Sequence, residues 1–97
     1  MVRRKKRKLP KSIEIGGHTI RIELDDTLGD RGESYGQWHG SCNLIVIDPR
    51  YGEETTSETF LHEVIEAING KTEMGLTHPQ IQTIALLLHQ ALISGRG

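Results

Sequence analysis

The chain is short of most things that would mark a secreted or membrane protein. It has 97 residues and a single cysteine, Cys42, so an intramolecular disulfide scaffold is excluded. No run of apolar residues approaches the ~18 needed to span a bilayer, so no membrane partner is expected. The charged N-terminus leads into no apolar h-region, which argues against a secretory signal and for a reducing cytoplasm. Aromatic residues are scarce: Tyr35, Trp38, Tyr51 and Phe60 are all there are. A chain of this length holds one small domain and buries only about 60–65% of its unfolded surface. No internal repeat is visible, and the glycines form no phosphate-binding pattern.

What is present is uneven in charge. The formal net charge is −1, yet seven of the twelve Lys and Arg fall within residues 1–11, where there is no acidic residue. The remaining five face all thirteen Asp and Glu in residues 12–97. Arg3–Lys8 is six basic side chains in a row, a block that repels itself and predicts a tail disordered when free. Residues 1–11 thus read as a basic tail suited to loose nucleic-acid contact, and residues 12–97 as an acidic domain. Sequence-specific readout is not expected, because no aromatic residue is interleaved with the charges and no recognition helix follows.

Within the domain, Ile13 and Ile15 alternate with polar residues, as do Ile20, Ile22 and Leu24. Gly16-Gly17 between them predicts a hairpin. Asp25–Gly32 reads as a loop and Tyr35–His39 as a short strand. Asn43–Asp48 is an apolar run stopped by Asp48-Pro49, suited to a strand buried on both faces. A helix is expected over Thr55–Asn69, with Thr55 and Glu58 as a capping box and Asn69-Gly70 as its stop. Thr77, Pro79 and Gln80 open a second helix, lined by Ile81, Ile84, Ala85, Leu88 and Leu92, that ends near Ser94-Gly95. Strands followed by helices, without βαβ alternation, make the class α+β with a mostly antiparallel sheet.

The chemistry concentrates in Phe60-Leu61-His62-Glu63-Val64-Ile65-Glu66. His62 and Glu66 are four residues apart, hence one turn apart on one helical face, where an imidazole and a carboxylate can share a divalent metal. Glu63 lies 100° round the helix, close enough to serve as a general base without being a ligand. His78, twelve residues after Glu66, opens the next helix and is the candidate third ligand, with His39 as its substitute. His18 and His39 otherwise read as turn and loop residues, and His89 as an exposed residue of the last helix. Cys42 reads as a small, at least half-buried cysteine, and Tyr35 and Trp38 as core residues.

The string LHEVIEAI is similar to the LHExxHAI helix of zincin metallopeptidases. The span Ile13–Leu92 resembles a group of small phage-encoded, metallopeptidase-like proteins, through IEIGGHTIRI, Tyr35-Gly36, NLIVID, TFLHEVIEAIN and the LTHxxI that opens the last helix. The resemblance implies a minimal zincin-like core, Zn2+ held by His62, and Glu63 as general base in peptide hydrolysis. It also implies an extended peptide or protein substrate along the strand at residues 43–48. The second histidine of HExxH is Glu66 here, so the implied ligand set becomes His62, Glu66 and His78. Two other readings remain open: a non-catalytic phage accessory module with a degenerate site and a nucleic-acid-contacting tail, and a purely structural metal site in a thin fold.

Overall fold

In the computed structural model, residues 9–32 and 34–95 are described. The basic run Arg3–Lys8, expected to be disordered, lies outside the described residues. The first hairpin joins β1 (Ser12–Ile15) to β2 (His18–Leu24) through Gly16 and Gly17, both at positive φ (57° and 82°). Two consecutive left-handed residues make the tight turn that glycine adopts without steric cost. After the loop come β3 (Gly36–His39) and β4 (Leu44–Ile47), then α1 (Glu53–Lys71) and α2 (His78–Ser94).

The four strands form one mixed sheet in the order β1-β2-β4-β3. The β1–β2 and β3–β4 pairings are antiparallel and β2–β4 is parallel, which bears out an α+β fold with a mostly antiparallel sheet followed by two helices. The parallel pair joins distant residues, Arg21 with Leu44 and Leu24 with Ile47, and no local turn signal announces such a pairing.

The core lies between the sheet and α1. Ile20, Ile22, Ile45 and Ile47 pack with Ala67, and Phe60, Val64 and Trp38 close over them. In register, Trp38 stands beside Ile45 and Ile22, while Gly36 stands beside Ile47 and Leu24. Gly36 therefore occupies a row facing α1. A Cβ there would lie 2.6 Å from Thr59 Cγ2 and 3.0 Å from Glu63 Cγ, so its missing side chain is what lets the helix approach the sheet. A smaller cluster, Ile65 with Ile81 and Ala85 under Leu61 and Leu76, joins α2 to α1.

The expected cap of the first helix is not used. The helix starts at Glu53 with no side-chain cap, and Thr55 lies inside its first turn. Gly52, at φ 95°, turns the chain directly from the short 3-10 turn Pro49–Tyr51 into the helix, and its carbonyl accepts the first helical bond from the Thr56 N–H (2.9 Å). Asn69-Gly70 does not stop the helix either. Asn69 instead bridges to the following loop, accepting from the Leu76 N–H (2.8 Å) and donating to the Leu76 carbonyl (3.3 Å). A Cβ on Gly70 would lie 2.9 Å from Trp38 Nε1, so that glycine serves packing rather than termination. The second helix starts as expected, with a capping box between Thr77 and Gln80.

Asp48, expected only as a strand stop, is a buried anchor. Its carboxylate is 1% exposed and accepts the Gly29 N–H (2.9 Å), with Arg50 Nε (3.0 Å) and Nη2 (2.8 Å) as a bidentate pair. The Arg50 guanidinium holds the Asp48 carboxyl well below the usual carboxylate range. This network ties the Asp25–Gly32 loop, with its buried Leu28, to the turn that launches α1. Among the described residues no helix is long and apolar enough to cross a membrane.

Candidate metal centre

The loop at residues 72–77, organised by Asn69, reverses the chain so that α2 begins beside the middle of α1. His62 and Glu66, one turn apart on α1, meet His78 in the first turn of α2. Glu66 Oε2 lies 3.4 Å from His62 Nε2 and 3.7 Å from His78 Nδ1, and the two imidazole rings meet edge to face with centroids 5.4 Å apart. One donor atom from each residue falls within 4.8 Å of the others. Ligands at ~2.1 Å in a tetrahedral site stand roughly 3.4 Å apart, so the two distances to Glu66 are close to those of a zinc-sized first shell, and the three donors would close on one ion by small side-chain rotations. Two imidazoles and one carboxylate are also a donor set found in hydrolytic zinc sites. The residues present therefore fit the group that the HExxE pattern implies, while the donor set alone does not select zinc over other divalent ions.

The groove holding these side chains has a volume of about 640 Å³ and is walled by β3, α1 and the start of α2. Glu63 reaches it from α1 and is 6% exposed, packed against the bare backbone of Gly36. Burial, and next the charge of Glu66, push its carboxyl up to about 7. A carboxyl poised there can take up and release a proton near neutral pH.

Several expectations need correction. The strand at residues 43–48 cannot guide a peptide along an edge, because Leu44–Ile47 is bonded to β2 on one side and β3 on the other. The sheet edge that lines the groove is β3. His39 borders the groove at the end of β3, but register parity turns it to the face opposite Trp38, away from the ligand cluster. Tyr35 is exposed rather than core and stacks on Tyr51 (centroids 4.0 Å, planes 15° apart) at one end of the groove. Trp38 is both: it packs on the core cluster and lines the groove. Cys42 is exposed rather than buried. His89 is half-buried, not exposed, and its Nε2 is buried without a hydrogen-bond partner. His18 lies on the hairpin, as expected.

Gly36, Glu58 and Gln82 also line the groove and were not singled out in the sequence as site residues. Glu58 precedes His62 by one turn, as Gln82 follows His78 by one turn, so an i,i+4 extension of the ligand pattern is the signal that finds both. No family model, no curated protein and no solved structure matches this chain.

Proposed function

We propose that this chain is a zinc-binding, metallopeptidase-like protein, with His62, Glu66 and His78 as ligands and Glu63 as general base. Its substrate on this reading is an extended peptide laid along β3, with Tyr35 and Trp38 at the groove wall. The carrying observation is the spacing of three donors from two helices, 3.4 and 3.7 Å about a shared carboxylate oxygen, beside a second, buried carboxyl, that of Glu63. The likeness of LHEVIEAI to the zincin helix supports the same assignment.

When bound, a divalent cation polarises a carbonyl and offsets negative charge that develops on it. The chain's own residues supply the remainder. Glu63 accepts a proton from the attacking water and returns it to the leaving nitrogen. Gly36 leaves room for that carboxyl between the sheet and α1. The edge of β3 orients an extended backbone by strand addition. The setting proposed is cytoplasmic, that of a host cell for a phage-borne chain.

The test is metal analysis of gently purified protein. The expected result is one equivalent of zinc, lost in His62→Ala and His78→Ala. Glu63→Gln should keep the metal and abolish any peptide hydrolysis. Absence of stoichiometric metal would overturn the assignment, and metal whose removal changes stability but never activity would make the site structural.

The unbroken basic run Arg3–Lys8 favours a second, separable role in nucleic-acid contact. Deleting residues 1–8 should abolish salt-sensitive retention on immobilised DNA or RNA, and unchanged retention would remove that role.

A further inference from the structure

One carboxylate of the groove is left unused by the candidate metal centre. Glu58 lies one turn before His62 on α1, half-buried, and lines the groove. It stands outside the set of donors that fall within 4.8 Å of one another and can share one ion. Its carboxylate makes no hydrogen bond or ion pair with a described residue. A carboxylate partly withdrawn from water loses hydration, and a cation that pairs with it makes good that loss.

The groove itself supplies no such cation. Among the described residues that line it there is no Lys or Arg. Arg50, near the Tyr35–Tyr51 end, is committed to Asp30 and Asp48 (3.0 and 2.8 Å). Lys71, near the other end, lies over the Trp38 ring, 5.8 Å from its centroid. A ligand in the groove can therefore bring the countercharge that the chain does not.

The place of Glu58 along the groove follows from the packing. β3 and α1 run in the same direction, with Gly36 against Thr59 and Glu63 and Trp38 against Gly70. Glu58 thus belongs to the Tyr35 end. The four residues from Glu58 to His62 advance the helix by about 6 Å, and a strand advances about 3.3 Å per residue. The carboxylate accordingly stands about two residues of an extended peptide away from the ligand cluster.

We infer that Glu58 is the specificity residue of this groove, selecting peptides with a lysine or arginine about two residues from the position beside His62, Glu66 and His78. The inference rests on the peptide reading given above and adds the substrate class, basic peptides. Tyr35, exposed at the same end, offers apolar surface for the methylene stem of such a side chain while its charged head meets Glu58. An acidic side chain at that place meets a like charge and is rejected.

Trp38 is the chain's single tryptophan and lines the groove, so its fluorescence reports occupancy without any turnover. The probes are capped alanine octapeptides with a central lysine, norleucine or glutamate, titrated into the full chain with zinc and again with chelator. At low salt the lysine peptide should bind roughly tenfold more tightly than the norleucine peptide, and the glutamate peptide more weakly than either. Glu58→Gln should bring the lysine and norleucine peptides within about twofold of each other while metal binding stays as in the wild type. Glu54→Gln, which removes the same charge from an exposed position on α1, should leave the preference intact. Equal affinities in the wild type, a lysine preference that survives Glu58→Gln, or one that Glu54→Gln removes equally would overturn the inference and leave the peptide reading standing. Loss of metal in Glu58→Gln would make Glu58 a ligand and overturn it as well. Fluorescence unmoved by all three peptides would overturn it together with the peptide reading of the groove.

Discussion

Replacing Glu63 with glutamine probes the electrostatics of the groove while preserving its shape. Glu63 is 6% exposed, and its carboxyl is raised from 4.5 to about 7, first by burial and then by Glu66. In the unfolded chain the same group ionises near its ordinary value, so between the two the folded state holds a proton that the unfolded state has released. Stability from this group is therefore fully present below the unfolded value and is lost as pH rises toward about 7. At ~1.4 kcal/mol per unit, the loss amounts to roughly 3 kcal/mol on the alkaline side. Glutamine cannot ionise. In chelator, urea unfolding should give variant and wild type similar stabilities at about pH 4, with the variant ahead by roughly 2–3 kcal/mol at about pH 8. Other titrating groups cancel in the difference. A gap that does not change with pH, or that favours the wild type at alkaline pH, would refute the burial argument.

Gly36→Ala should cost about 1–3 kcal/mol by overpacking against Thr59 and Glu63, and Thr59→Ser in the same chain should recover part of it, as read by thermal melts. The lowered Asp48 pKa gives the opposite pH sign to Glu63: its contribution is present at neutral pH and fades as pH falls through and below the ordinary carboxylate range. Asp48→Asn should accordingly lower the neutral-pH melting temperature and flatten the acid limb of the stability profile. Zinc at 100 times its dissociation constant should stabilise the wild type by about 2.7 kcal/mol, and His78→Ala should remove that gain while His18→Ala keeps it, measured by calorimetry.

Local patterns were legible in the sequence. The Gly16-Gly17 hairpin, the Thr77–Gln80 cap and the one-turn pairing of His62 with Glu66 each depend on residues a few positions apart. What depended on distant partners was not. The Leu44–Ile47 strand reads as buried, yet nothing in it says that β2 and β3 take both its edges. Asp48 reads as a strand stop because its partner Gly29 lies nineteen residues upstream. Asn69-Gly70 carries the signature of a helix end, but Leu76 and Trp38 recruit the two residues for tertiary contacts. Scarcity of aromatics points Tyr35 to the core, whereas its stacking partner is the similarly exposed Tyr51.

The three donors of the candidate metal centre fall within a segment running from His62 to His78, whereas the parallel ladder joins residue 21 to residue 44. Closing so short a loop costs little chain entropy, so a cation bound there would gain little by restraining the unfolded chain. Its leverage would be on the elbow between α1 and α2. Amide exchange should slow around residues 62–82 when metal is added and change far less in the sheet, making the ion a latch on one corner of the molecule rather than a staple through it.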